Sequence, residues 1–324
     1  MRISNFTIKR NYQTQLNLNQ KNLYDANMTA ITKRKFHTMS DDVATGLRAM
    51  KARRELSKNA SYQNNVQEAK GTLKAAEDVL IKGINSIASD SVFADYQQAA
   101  NGTMSADERQ VVANKLQKMQ DALLTDLNSK FSDRYLFGGS QTDQAPFSLD
   151  TDGKLMYRGV KVADFDPTDP DHAKLLDDPV YIDIGLGMTL DASGNPIPST
   201  VFDRSISGLD IVGTGEDNMY DVLGQMISSL EADAPDQELF DKMQTCFNRS
   251  NTMVTNIGAD DNFLDFTQER LTLEEDNLTT RQQGLEFMND EAALLNLKMA
   301  EYAYNAALQI GTRILQPSLF SYMN

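Results

Sequence analysis

The sequence predicts a mainly α fold with a β-rich insert, in which N- and C-terminal helices form a long antiparallel coiled-coil rod. Apolar residues recur at every third or fourth position near the C-terminus, which is the spacing of a coiled-coil seam. No proline lies between Asn262 and Leu315, so a helix there would be roughly 80 Å long. Five of the eight prolines instead cluster at Pro167–Pro198, where the pattern changes to β.

The C-terminal seam requires a partner, because an amphipathic helix cannot bury its own stripe. The seam consists of Leu285, Met288, Ala292, Leu295, Met299, Tyr302 and Ala306. A matching stripe near the other end of the chain consists of Tyr62, Val66, Ala69, Leu73, Ala76, Leu80, Ile84 and Ile87. We therefore expect the chain to return beside its own start, an arrangement typical of an assembly subunit.

Residues 1–35 form a weak helix candidate. Leu16, Leu23 and Ala30 recur every seven positions, but asparagine, which has poor helix propensity, crowds the segment. We expect this helix to acquire order mainly through packing on partners. The following stretch, Thr38–Asp42, supplies N-cap residues for a long helix that reaches about Ile87.

A second helix is predicted to open at the capping box Ser105–Glu108. Its apolar stripe is Val112, Leu116, Met119, Leu123, Leu127 and Phe131. It should end before the glycines of Phe137–Gly139.

From about 140 to 212 the pattern indicates strands. Asp152-Gly153 separates two apolar runs, Phe147–Leu149 and Leu155–Tyr157, which predicts a hairpin with a two-residue turn. The span 182–190 alternates strictly between apolar and polar or glycine residues, which predicts a half-buried strand ended by the turn-rich Asp191–Pro196.

Helices are predicted to resume after Gly215, first with the stripe Met219–Leu230 and then from about Asp233–Pro235. Gly258 should interrupt or kink the second of these, and a terminal helix should then run to Pro317. These boundaries divide the chain into an N-terminal assembly segment, two halves of a helical rod domain, a β-rich domain and a C-terminal assembly helix. The N-terminal assembly segment is 1–40, and the C-terminal assembly helix is 285–324. The rod domain consists of 41–137 and 216–284, and the β-rich domain between its halves is 138–215. We expect residues 1–40 to be disordered until assembled.

Charge is distributed unevenly along the chain. The net charge of −15 disfavours nucleic acid as a partner, yet residues 1–40 carry seven basic residues against one acid. The span 260–291 holds ten acids against two arginines. These acids are either solvated helix faces or charges that guide contacts between neighbouring subunits.

Catalytic and metal-binding patterns are not found in the sequence. Cys246 lies in a helical pattern, and both histidines, His37 and His172, lie in polar loops, so a catalytic thiol pair is not indicated. The acidic stretch Asp164–His172 lacks the glycine and closing glutamate of a calcium loop. We expect neither enzymatic activity, nor a cofactor, nor a metal, nor a membrane-inserted segment; the longest apolar runs are about four residues.

Local motifs in both terminal thirds resemble the flagellin family, and within it the junction proteins between hook and filament. The similar segments are Met1–Ser4, Ser40–Asp42, Arg134–Gly139 with Gln141–Asp143 and Pro146–Phe147, and Leu315–Tyr322.

The resemblance implies a subunit exported through the flagellar type III channel without a cleaved signal peptide, and hence an extracellular location. Its implied partners are copies of itself in an adaptor ring, the first hook-associated protein, the flagellin filament, an export chaperone and the export apparatus. The implied β-rich domain faces outward, and we expect the span from about Gln141 to Gly213 to tolerate deletion better than the helical ends. Filament-forming flagellin, and less so a secreted coiled-coil adhesin or binding module, are the alternatives.

The assembly interface is predicted on the terminal helices. Its expected residues are Leu16, Leu23, Leu285, Met288, Leu295, Met299, Tyr302, Ile310 and Ile314. A charge placed at Leu295 or Met299 is expected to block incorporation but not secretion.

Overall fold

The computed structural model describes residues 5–85, 91–102, 104–166 and 168–315. The predicted seam residue Ile87 and the motif segments 1–4 and 316–324 lie outside these residues. The helices are α1 (Asn5–Thr32), α2 (Val43–Asp78), α3 (Ser91–Ala100), α4 (Ala106–Leu127), α5 (Pro170–Leu176), α6 (Gly208–Val212), α7 (Met219–Glu231), α8 (Gln237–Glu286) and α9 (Asp290–Leu315). A π-helical segment, Val79–Ile84, continues α2.

The strands between α4 and α6 are short. They are β1 (Lys130–Phe131), β2 (Arg134–Tyr135), β3 (Phe147–Leu149), β4 (Leu155–Tyr157), β5 (Val160–Lys161), β6 (Tyr181–Ile182) and β7 (Phe202–Asp203). They pair antiparallel as β1-β2, β3-β4-β5 and β6-β7. The chain is therefore mainly α with a small strand-containing insert, as the sequence predicts.

The chain divides into two compact units. The first comprises residues 1–59 and 273–324, and the second is the continuous span 60–272. The first unit thus brings together the two ends of the sequence, whereas the second contains the strands.

In the first unit, α9 packs on α1 rather than on the Tyr62–Ile87 stripe. The pair is antiparallel, because Tyr12 near the start of α1 lies against Gly311 near the end of α9. At the opposite end of the pair, Lys33 Nζ lies 2.9 Å from Asp290 Oδ2. The predicted pairing was therefore wrong in its partner, although the antiparallel coiled coil of terminal helices is confirmed.

The single long terminal helix predicted from the sequence is broken at 287–289. Phe287 forms a β-bridge with Arg34, and the Met288 amide donates to the Lys33 carbonyl at 2.8 Å. These bonds replace intrahelical ones. Asn289 then starts α9, since its side chain accepts from the Glu291 amide at 3.2 Å.

The start of α2 agrees with the predicted cap. The Asp42 carboxylate accepts from the Thr45 amide at 3.0 Å, and Asp41 accepts from the amides of His37 and Thr38. These bonds stabilise the charged carboxylates and lower the pKa of both aspartates, with Thr38 contributing most at Asp41 and Thr45 most at Asp42.

The core of the second unit is one continuous apolar cluster that includes the Tyr62–Ile84 stripe, α4, α7 and the strands. Its largest fully buried side chains include Tyr96, Tyr157, Phe137, Phe147, Leu80, Ile84, Leu116, Leu123, Leu127, Leu155 and Ile184. The Tyr62–Ile84 stripe, which the sequence predicts to pack on the C-terminal helix, therefore packs inside the second unit.

Helix α4 opens with the predicted capping box, in which Ser105 and Glu108 exchange side-chain and backbone bonds. It ends at Leu127, because the chain turns there into the β1-β2 hairpin. Phe131, expected on the helix stripe, lies instead on β1, with its ring against Gly71 of α2.

The β3-β4 hairpin is confirmed, but its loop has three residues rather than two. Leu149 pairs with Leu155, and the Asp150 amide donates to the Lys154 carbonyl at 2.9 Å, leaving Thr151–Gly153 as the loop. Gly153 has a φ of 73°, the left-handed conformation expected for the last residue of such a loop.

The predicted strand 182–190 was wrong beyond Ile182. Gly185 and Gly187 have φ values of 79° and 83°, which no strand accommodates. The carbonyl of Gly185 accepts a hydrogen bond from the Arg270 side chain at 3.1 Å, and not from the backbone of a neighbouring strand. The turn at Asp191–Pro196 is present, with the Asp191 carboxylate accepting from the amides of Ser193 and Asn195.

Helix α8 differs from its prediction at two places. It starts at Gln237 with Asp236 as its cap, so Pro235 precedes the helix. It also continues through Gly258, whose carbonyl accepts from the Asn262 side chain at 2.8 Å. A single glycine costs only about 1 kcal/mol in a helix, which is too little to break one held by flanking buried residues.

Candidate assembly surface

The α1–α9 pair is held by two stripes with heptad spacing. On α1 the half-buried positions follow each other at intervals of four and three: Tyr12, Leu16, Asn19, Leu23, Ala26 and Ala30. On α9 the corresponding buried or half-buried positions are Ala293, Leu297, Ala300, Tyr304, Ala307 and Gly311. Four of these six α9 residues are alanine or glycine, so the two backbones approach closely.

The closest packing is at Gly311. A Cβ atom added there would lie 1.9 Å from the Tyr12 hydroxyl oxygen. The tyrosine ring thus occupies the space that a side chain at 311 would need. Beside it, the two helices enclose an open apolar groove of about 520 Å³ lined by Ile8, Leu16, Ala303, Ala306 and Ile310 among others.

A second apolar stripe on α9 consists of Leu295, Met299 and Tyr302 and faces away from α1. These side chains are 57%, 62% and 79% exposed, and Ile310, at the rim of the groove, is 54% exposed. Successive helix residues are about 100° apart, so Leu295 lies on the side of α9 opposite Leu297, which faces α1. One helix therefore carries two apolar faces, of which α1 covers one.

The predicted interface residues lie at several different places. Leu295, Met299 and Tyr302 form the exposed stripe described above, whereas Ile310 lies at the rim of the α1–α9 groove. Leu16 and Leu23 lie half-buried in the α1–α9 seam, and Leu285 and Met288 are half-buried at the helix break. Ile314 belongs to α9, but its side chain lies outside the described side chains.

Sequence reasoning missed the inner stripe of α9. It chose the larger side chains and passed over the row of alanines with Gly311. The signal that could have identified it is the spacing of small residues from Ala293 to Gly311, which permits close helix contact. The polar flank between the stripes carries an ion pair, Lys298 to Glu301 at 2.9 Å.

The polar and titratable groups singled out in the sequence take structural roles. Cys246 is buried, its thiol lies 3.4 Å from the Asp217 carbonyl, and burial raises the pKa of the thiol. His172 accepts from the Asp166 amide, and Asp169 caps α5. Among the residues that the structure describes, no group of three or more His, Cys, Asp and Glu side chains is placed to hold a metal ion.

None of the helices in the described part of the chain combines the length and the apolar character needed to cross a bilayer.

Solved structures share this fold, among them two of flagellar hook-associated proteins. One is a structure described as a flagellar hook-associated protein from Vibrio parahaemolyticus, with a TM-score of 0.60, 20% identity, and coverage of 76% of this chain and 100% of that one. The other is flagellar hook-associated protein 3 from Legionella pneumophila, with a TM-score of 0.53, 16% identity, and coverage of 72% and 98%. No family model matches the sequence, and no curated protein matches it.

Proposed function

We propose that this chain is a structural subunit of the bacterial flagellum that joins the hook to the filament, in the manner of flagellar hook-associated protein 3. The observation that carries the proposal is the second apolar stripe of α9, which none of the described residues covers. Contiguous exposed apolar surface of this kind marks a protein–protein contact. The shared fold and the motif resemblance to junction proteins support the same role.

The proposed partners follow from that role. Copies of the chain form an adaptor ring that contacts hook-associated protein 1 on one side and the flagellin filament on the other. The subunit leaves the cell through the type III export apparatus, escorted by an export chaperone, without losing a signal peptide, and its final location is the extracellular flagellum. The part played by the chain is structural, with no catalytic step.

The exposed stripe gives the proposal a direct test. Leu295→Asp or Met299→Asp in a strain lacking the wild-type gene should block incorporation while leaving export intact. A charge buried in a helix–helix contact costs several kcal/mol unless it is paired. Because Leu295 is exposed in the single chain, the variant should still fold. The readout is unpolymerised flagellin in the medium together with the exported variant.

Asn305→Asp is the matched control. It adds the same charge to the same helix, at an exposed position on the polar flank. It should leave filaments and swimming unchanged. Normal filaments from the Leu295→Asp strain would exclude this stripe as the assembly surface, and filaments formed by the purified chain alone would identify it as a flagellin.

A further inference from the structure

Within the first unit, α2 also presents an apolar stripe that is left exposed by the residues that the structure describes. Val43, Leu47 and Met50 follow each other at intervals of four and three and are 56%, 57% and 51% exposed. They lie on the side of α2 away from Ala49 and Ala52, which are buried. The stripe is distinct from that of α9.

α2 is also basic along this stretch. Residues 43–58 contain Arg48, Lys51, Arg53, Arg54 and Lys58 but a single acid, Glu55, which gives a net charge of +4. At about 100° per residue, Arg54 and Lys58 lie on the same side of the helix as the apolar stripe. Arg53 pairs with Glu286, and Lys51 lies 3.8 Å from Glu55. Arg54 and Lys58 make no ion pair within the described residues, so this part of the face keeps its positive charge.

A complementary surface lies on α8 in the same unit. Residues 273–277 are all exposed, and Leu273 is 65% exposed. Leu273 is followed by three consecutive acids, Glu274, Glu275 and Asp276. The exposed Leu273 and its neighbouring acids on α8 are thus complementary to the apolar stripe and the basic residues of α2.

The two surfaces cannot meet within one chain. The ion pair Arg53–Glu286 and the contact of Glu55 with Arg281 at 4.0 Å show that α2 and α8 run antiparallel here. Leu273 precedes Glu286 by thirteen residues, whereas Leu47 lies six residues to the other side of Arg53. At 1.5 Å per residue, the two leucines are roughly 30 Å apart along the helix axes.

We infer that the α2 face, residues 43–58, docks on the acidic segment 273–277 of α8 in a second copy of this chain. This inference rests on the proposed function and names one lateral contact of the proposed ring. Opposite charges steer the two surfaces together and fix their register. Because the two faces differ, the contact is heterologous and passes from copy to copy until a ring closes.

A disulfide provides the test. Leu47→Cys and Leu273→Cys are introduced together into the full chain, with the buried Cys246 replaced by serine. A disulfide requires Cα atoms within about 7 Å, so oxidation of isolated flagella should link copies into multimers larger than dimers. Either cysteine alone should give no such multimers. Double variants that incorporate normally but stay monomeric after oxidation would overturn the contact and leave the proposed function intact.

Charge reversal supplies a second measurement, in case the cysteine variant fails to assemble. Arg54→Glu and Asp276→Lys should each reduce incorporation into flagella about tenfold or more, because each places like charges against each other. Both changes in one chain should restore incorporation to within about threefold of wild type. Lys118→Glu, an exposed reversal on α4, should have no effect. Unchanged incorporation in both single variants, or no rescue in the double variant, would overturn the inference.

Discussion

Glu286 is buried at the end of α8, and Arg53 of α2 holds it in place. The guanidinium donates two hydrogen bonds to the carboxylate, at 2.6 and 2.5 Å. Arg53 is the largest cause that lowers the pKa of Glu286 below its ordinary 4.5. The pair therefore joins α2 to α8 within the first unit, at the point where α8 ends.

Replacing Glu286 with glutamine should lower the free energy of unfolding by about 1–2 kcal/mol at neutral pH, since a charge-assisted bond is lost and Arg53 is half-exposed. The lowered pKa means that the ionised pair stabilises the fold above pH 4.5. That contribution should disappear as the pH falls through the folded-state pKa. Denaturant unfolding between pH 3 and 7 measures both effects.

Glu55→Gln is the control for this prediction. Its carboxylate lies 3.8 Å from Lys51 and 4.0 Å from Arg281, so its removal should change stability by less than about 0.5 kcal/mol. Equal losses in the two variants, or a Glu286→Gln loss that persists at pH 3, would exclude the pair as the source of the pH dependence.

Two helical glycines show what a glycine does at the scale of an element. Gly258 has nothing within 4 Å of an added Cβ, whereas Gly311 has Tyr12 in that space. Gly258→Ala should therefore stabilise α8 by up to about 1 kcal/mol. Gly311→Ala gains the same propensity but must displace Tyr12, so the α1–α9 pair should loosen.

Hydrogen exchange resolves the two outcomes helix by helix. In the Gly311→Ala variant, amides of α1 and α9 should exchange several-fold faster than in the wild type, with α8 unchanged. In Gly258→Ala the protection of α8 should increase. Faster exchange confined to α8 in the Gly311→Ala variant would contradict the assignment of Gly311 to the seam, and faster exchange of α8 in the Gly258→Ala variant would contradict the propensity argument.

The elements that the sequence predicted well carry local signals. The capping box at Ser105 and the turn at Asp191 depend only on residues a few positions apart in the sequence, and both are present. Long-range partners are not encoded in this way. The Tyr62–Ile84 stripe and the C-terminal stripe have the same spacing, so periodicity alone cannot decide which helix each one meets, and the break at 287–289 arises from contacts with residues more than 250 positions away.

The strand 182–190 failed for a different reason. Alternation of apolar residues with glycine satisfies the strand pattern, but glycine also permits left-handed φ values, and the chain adopts them at Gly185 and Gly187. Leu295, Met299 and Tyr302 are exposed as an interface requires, and their part in assembly stays a prediction. The inner face of α9 was not predicted from the sequence.

At the scale of the whole molecule, the α1–α9 pair buries little. None of the side chains described on α1 is buried, and on α9 only Ala293 and Gly311 are. Such a pair is marginal by itself, because most of the stability of a helix in a protein comes from the packing of its apolar face. We therefore predict that protease trims the isolated monomer to a core of about 40–285, while the same helices resist protease in assembled flagella. Equal resistance in both states would contradict this prediction.

The second unit should respond differently to loss of its strands. Residues 143–212 contribute eleven members of the continuous core: Phe147, Leu155, Tyr157, Val162, Phe165, Ile184, Phe202, Ile206, Leu209, Ile211 and Val212. Each large side chain contributes about 1.5–3 kcal/mol when buried, so their combined loss exceeds the usual 5–15 kcal/mol stability of a domain. From this shared core we predict, against the expectation from the sequence, that the span does not tolerate deletion.

A Gly/Ser linker in place of residues 143–212 should unfold the second unit and abolish motility. A small deletion at the turn 191–195 is the control for this large one. Residues 191–195 are all exposed, and the flanking Leu190 and Pro196 form a β-bridge. Asn-Gly can therefore replace residues 191–195 and close the turn between Leu190 and Pro196. This shortened chain should keep its thermal midpoint within a few degrees and support swimming. A stable, motile strain carrying the large deletion would show that the helices of this unit pack without the strands, and the shared core would then not be what holds them together.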